Sequence, residues 1–148
     1  MTSKRHKPVV TTPCLCNALR QASRAVSRFY DEELRSVGLR TTQFSLLRLL
    51  CRSGGVRQRD LGELTVHDET TLTRNLRPLV DAGWVAVRPG QDRREKWLKI
   101  TRKGLAKVEE AGPHWSRAQE RLRSLLAEGV WQNLMDALPD VARSAAEG

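Results

Sequence analysis

Residues 68–100 read DETTLTRNLRPLVDAGWVAVRPGQDRREKWLKI, and the hydrophobic period changes half-way along them. Asp68 is a good N-cap, and Leu72, Leu76, Leu79 and Val80 then recur at helical steps before Gly83 stops the run. At about 100° per residue the opposite face holds Thr70, Arg74, Arg77 and Asp81, with Thr71 and Thr73 to the sides. After Gly83 the period falls to two. Residues 84–88 and 96–100 read as short strands, and the connection 89–95 carries Asp92, Arg93 and Arg94, so a hairpin with a basic tip is expected.

Upstream, a short helix is expected from Gln58 to Leu64, closed by the turn Thr65-Val66-His67. Before it, Phe44, Leu47 and Leu50 mark a helix that Thr41 or Thr42 can cap and Ser53-Gly54-Gly55 breaks. Further back, Leu15, Leu19, Ala22, Val26, Phe29, Tyr30, Leu34 and Val37 share one face of a long helix ending at Gly38. Residues 1–12 are polar, basic and aperiodic, which reads as a flexible arm. Downstream, Thr101 can cap a helical region carrying Leu105, Val108, Trp115, Ala118, Leu122 and Leu125, with Pro113 as a kink or a break. Gly129 separates it from a last helix with Val130, Trp131, Leu134, Met135 and Leu138.

Two short helices, the second with a polar outward face, followed at once by a basic hairpin, is the order of a winged helix-turn-helix. A helix fits the major groove, where each base pair shows its own pattern of donors and acceptors, and a basic loop fits the narrower, more negative minor groove. The fold expected is mainly α with a small β-hairpin wing: winged motif at 41–104, terminal helices at 13–38 and 102–147, all within one domain over 13–148. The apolar stripes of the terminal helices, including Trp115, Trp131 and Leu134, exceed what a small winged unit can cover, which points to a homodimer.

Charge agrees with a polyanionic partner, since 26 Lys plus Arg face 17 Asp plus Glu for a net +9. The excess is concentrated: residues 1–60 carry 12 basic and 4 acidic side chains, whereas residues 105–148 carry 5 and 7. No apolar run approaches the roughly 20 residues of a membrane span, and no signal-peptide core follows the basic start, so a cytoplasmic protein is expected. Cys14, Cys16 and Cys51 are too few for a disulfide framework. His6, His67 and His114 lack metal-ligand spacing, and no paired acid and base, nucleophile motif or phosphate-cradling glycine loop is found. The expectation is therefore no metal, no cofactor and no catalysis; the alternative from another class is a thiol redox enzyme using Cys14 and Cys16. Trp84 and Trp97 read as packing residues rather than a base-stacking platform.

Residues 41–104 resemble the MarR family of transcriptional regulators. The matching stretches are Gln58-Arg59-Asp60-Leu61-Gly62-Glu63-Leu64, Thr70-Thr71-Leu72-Thr73-Arg74-Asn75-Leu76, Asp92-Arg93-Arg94 and Leu98-Lys99-Ile100-Thr101-Arg102-Lys103-Gly104. The resemblance implies a homodimeric regulator of double-stranded DNA, commonly a repressor, with two winged motifs on adjacent half-sites of a pseudo-palindromic operator. It implies that Arg94 reaches the minor groove, Asp92 shapes the wing, Arg93 meets phosphate, and Thr70, Thr71, Thr73, Arg74 and Arg77 lie on the DNA-reading helix. Pro78 departs from a regular recognition helix by removing one hydrogen bond, so a bend in its last turn is expected. Leu15-Cys16, Ala22-Ser23-Arg24 and Tyr30 resemble the organic-hydroperoxide-sensing branch, in which Cys16 would be oxidised and Tyr30 would hydrogen-bond it; a second tyrosine of that branch is replaced by Arg20. The competing expectation is an inert Cys16 and a small aromatic acid as effector, bound between the winged unit and the dimer helices.

Overall fold

The computed structural model describes residues 13–148. The basic arm expected at 1–12 lies outside them. Helix α1 spans Leu15–Leu34 and tightens into a single 3-10 turn, Arg35–Val37, before Gly38 reverses the chain in a left-handed conformation. Helix α2 covers Thr41–Ser53, the short strand β1 Val56–Arg57, helix α3 Gln58–Thr65 and helix α4 Glu69–Asp81. Strands β2 (Val85–Pro89) and β3 (Lys96–Ile100) follow, then the long helices α5 (Arg102–Leu125) and α6 (Val130–Glu147).

The helices form where apolar stripes can be buried. Leu34, Phe44, Leu47, Leu50, Leu61, Leu72, Leu76, Leu79, Val85 and Leu98 make one cluster at the junction of α2, α3, α4 and the sheet. Removing one such leucine side chain from water is worth about 1.5–3 kcal/mol, so the stripe Leu72, Leu76 and Leu79 fixes which face of α4 turns to the core. The sheet has three antiparallel strands in the order β1-β3-β2, with Val56 and Val87 both opposite Leu98. β1 was not foreseen, because two residues are too short to show alternation.

Several local expectations change. The N-terminus of α2 is capped by neither Thr41 nor Thr42: Arg40 stands at the cap, its N–H donates to Gln43 Oε1 (2.9 Å), and the Thr41 N–H donates to Asp31 Oδ1 on α1 (2.6 Å). A distant carboxylate does the work expected of a local hydroxyl. Pro113 does not break α5; it is exposed, and Ala111 and Ala118 on either side of it are fully buried. Tertiary packing outweighs the lost hydrogen bond. α4, as expected, remains helical through Pro78 as far as Asp81. Trp115 is partly covered within its own chain: it packs beside Phe44 with ring centroids 6.2 Å apart, under the Arg48 guanidinium at 4.0 Å.

α5 is tied to α1 by polar contacts as well. Arg121 Nη1 meets Glu33 Oε1 at 2.9 Å, Arg117 approaches the other Glu33 oxygen at 3.6 Å, and Tyr30 donates its hydroxyl to Gln119 Oε1. α6 buries no residue, and Leu134, Met135 and Leu138 are exposed along it.

Candidate nucleic-acid interface

The scaffold comes first. Asp68 accepts the Thr71 N–H (2.7 Å) and hydroxyl (2.9 Å), which starts α4 and holds the Asp68 carboxyl below its ordinary range. Thr71 is thereby engaged in capping rather than presented outward. The turn before α4 holds Val66 at φ 53°, a left-handed conformation that is strained for a β-branched side chain. The His67 N–H donating to the Gly62 carbonyl at 2.9 Å closes that turn.

On the outward face Thr70 and Arg74 are exposed, and neither side chain bonds another among the described residues. Thr73 is exposed and its Oγ1 accepts from Gln58 Nε2 at 3.0 Å. Arg77 lies 3.9 Å from Asp81, both more than two-thirds exposed, so the pair is a weak surface contact.

The wing is built as tightly. The Arg94 N–H donates to Asp92 Oδ1 (3.1 Å), the Glu95 N–H to the Asp92 carbonyl (2.9 Å) and the Gly90 N–H to the Glu95 carbonyl (2.9 Å). Asp92 therefore shapes the tip, while Arg93 and Arg94 extend from it exposed and without an ion pair among the described residues. A Cβ at Gly90 would stand 2.7 Å from Glu95 Cβ, so a side chain there would force the wing tip to shift. Trp84 packs against the core as expected, but Trp97 is 40% exposed on the wing.

Arg57 is a contributor that sequence reading missed. Its Nε meets Asp60 Oδ2 at 2.8 Å and its Nη1 lies 3.6 Å from Glu95 Oε1, tying the start of α3 to the base of the wing tip. Its hydrogen bond to Asp60, with Glu95 adding less, raises the pKa of the Arg57 guanidinium above its ordinary value. At the foot of the wing Thr101 donates to the Gly83 carbonyl (2.7 Å) and accepts the Gly104 N–H (3.0 Å), joining the end of α4 to the start of α5. A cleft of 910 Å³ runs between α3, the turn before α4 and the wing, with Gln58, Asp68, Asp92 and Arg94 among its walls. The first turn of α4, through Glu69 and Leu72, and the wing tip, through Asp92 and Arg94, thus border one opening, with Ala146 of α6 also on its wall.

The model of the MarR family matches residues 37–95, the stretch that holds α2 to the wing tip. An HTH-type transcriptional regulator of Bacillus subtilis, YwoH, is 30% identical over 108 residues, covering 73% of this chain and 79% of the relative. The chain belongs to the MarR family. Its fold is also that of M. tuberculosis MosR solved in complex with DNA, at a TM-score of 0.83 and 32% identity over 91% of this chain and 98% of that one. A variant of E. coli MarR complexed with operator DNA shares the fold at a TM-score of 0.75 and 24% identity, covering 86% of this chain and 92% of that one. The chain is a MarR-family transcriptional regulator, and these comparisons lend no support to a thiol redox enzyme.

The two sensor residues are not brought together within one protomer. Cys16 is exposed in the first turn of α1, and Tyr30 is buried fourteen residues further along the same helix, roughly 21 Å at 1.5 Å per residue. Burial raises the Tyr30 hydroxyl above its ordinary pKa, and that hydroxyl is already given to Gln119. Among the described residues no group of three or more His, Cys, Asp or Glu could hold a metal ion, and no helix is long and apolar enough to cross a membrane.

Proposed function

We propose that this MarR-family regulator is a homodimer that represses transcription by gripping a pseudo-palindromic duplex, with α4 in the major groove and the wing tip at the minor groove. The observation that carries this reading is the contrast between fixed scaffold and free heads. Asp68, Asp92, Arg57 and Thr101 are all committed to holding α4 and the wing, whereas Thr70, Arg74, Arg93 and Arg94 stand exposed and unpaired among the described residues. Exposed donors on a fixed scaffold, on a chain of net charge +9, suit a polyanion whose bases must be read. The roles follow from chemistry: Thr70, Thr73 and Arg74 toward base edges, Arg77 and Arg93 toward phosphate, Arg94 into the minor groove. That M. tuberculosis MosR, at 32% identity and a TM-score of 0.83, is solved in complex with DNA supports duplex DNA as the partner.

A second copy is supported by what one protomer leaves uncovered. α6 buries nothing, Leu134, Met135 and Leu138 are exposed on it, and Leu15 and Val26 are exposed on α1. In a dimer these stripes cover one another, with residues 13–38 and 102–147 as the shared helices and 41–104 as the reading unit of a single domain. The small aromatic acid that the family resemblance implies as effector would find a cation at Arg48, which stacks on Trp115 between α2 and α5.

Anisotropy titration of a duplex selected from the parent genome, against an unrelated duplex at moderate salt, tests the reading. A preference of about a thousandfold or more is expected. Equal affinity for both would leave a nonspecific binder and overturn sequence-specific regulation.

A further inference from the structure

We propose that Gln58 is a positioning residue for sequence readout: by holding Thr73 Oγ1 it fixes which hydrogen-bonding character α4 offers to one base pair. The inference rests on the DNA reading above.

Gln58 is the first residue of α3, and its neighbour Arg57 is anchored to Asp60 at 2.8 Å and Glu95 at 3.6 Å. From that fixed start its amide Nε2 reaches across to α4 and donates to Thr73 Oγ1 at 3.0 Å. A helical threonine divides between two side-chain rotamers because its hydroxyl can turn back onto the carbonyl three or four residues earlier. Thr65 does this, donating to the Leu61 carbonyl at 2.8 Å. Thr73 has no such back-bond among the described residues, and its oxygen is held toward α3 instead.

The consequence is chemical as well as steric. A hydroxyl has one hydrogen to give, and Thr73 uses its oxygen to accept, so the hydrogen is left for a ligand. With its one hydrogen free and only one of its two lone pairs left, Thr73 is tilted toward acceptor edges in the major groove, namely purine N7, guanine O6 or thymine O4, over the amino groups of adenine and cytosine. Thr71 cannot share this role, since Asp68 takes its hydroxyl.

The test is selection of binding sites from randomised duplexes by the full chain and by Gln58→Ala, Thr73→Val and the double variant, with thermal midpoints measured alongside. Both single variants should relax preference at the same base pair of each half-site by about fivefold, the low end for one base contact. The double variant should relax it no further, because the two side chains act as one unit. Gln58→Glu should move that preference toward a donor edge, since a carboxylate only accepts and would take the Thr73 hydrogen. The proposal is overturned if Gln58→Ala leaves the pattern intact while Thr73→Val changes it, if the two act at different base pairs, or if their effects multiply. A uniform loss of affinity with unchanged pattern also overturns it, making Gln58 a backbone contact. A wild-type chain with no preference overturns the DNA reading itself and this inference with it.

Discussion

Replacing Gly104 with alanine should destabilise the protein even though alanine is the better helix former. A Cβ at residue 104 would stand 2.2 Å from the Trp84 carbonyl oxygen, 2.7 Å from Ile100 Cγ1 and 3.0 Å from the Trp84 carbonyl carbon. That carbonyl cannot swing away freely, because it accepts the Thr101 N–H at 3.0 Å where β2 begins. Overpacking of this kind costs about 1–3 kcal/mol, and backbone contact puts it near the top of the range. Alanine offsets about 1 kcal/mol of this through helix propensity, leaving a net loss of about 2 kcal/mol. For a chain of this size that lowers the thermal midpoint by about 4–8 °C. Far-UV circular dichroism melts of wild type and Gly104→Ala, at matched concentration because self-association shifts the midpoint, give the comparison. An unchanged or raised midpoint would refute the close approach of α5 to β2.

Three further outcomes are expected. Arg94→Ala should weaken DNA binding and reduce the slope of log affinity against log salt by about 1, whereas Thr70→Ala or Arg74→Ala should relax sequence preference, at about 1–3 kcal/mol for each lost base contact; salt titrations on matched and mismatched duplexes separate the two. The Asp68 carboxyl is lowered in the fold, so its stabilising contribution is present above the ordinary carboxylate pKa and is lost as pH falls below 3.8. Melts of wild type and Asp68→Asn, which caps without titrating, should therefore converge on acidification, and a constant difference down to low pH would contradict that. DNA binding should survive hydroperoxide in both wild type and Cys16→Ser, since the Tyr30 hydroxyl that would hold an oxidised Cys16 is buried and already given to Gln119; a loss confined to wild type would instead establish a thiol sensor.

The parts of the fold legible in the sequence are those whose causes are local. Leu72, Leu76 and Leu79 announce α4, Asp68 announces its start, and the switch to period two at Trp84 announces the wing. What stayed hidden depends on partners far along the chain. Asp31 caps α2 from another helix, Val56 and Arg57 become a strand only beside β3, and the packing of Ala111 and Ala118 keeps α5 whole through Pro113. The site divides the same way. Thr70, Arg74, Arg93 and Arg94 were readable from face and motif, but the Arg57–Glu95 tie and the Gln58–Thr73 bond join residues 38 and 15 positions apart, beyond any local pattern. Periodicity placed Trp115 on an apolar face, and only the structure shows that Phe44 and Arg48 of its own chain cover part of it.

Hydroxyl-radical footprinting on a selected operator tests the dimeric grip most directly. Two protected patches about one helical turn apart, roughly 10 bp centre to centre on one face of the duplex, are expected, with two chains bound per duplex. A single protected patch with one chain per duplex, or protection spread evenly along the DNA, would contradict it.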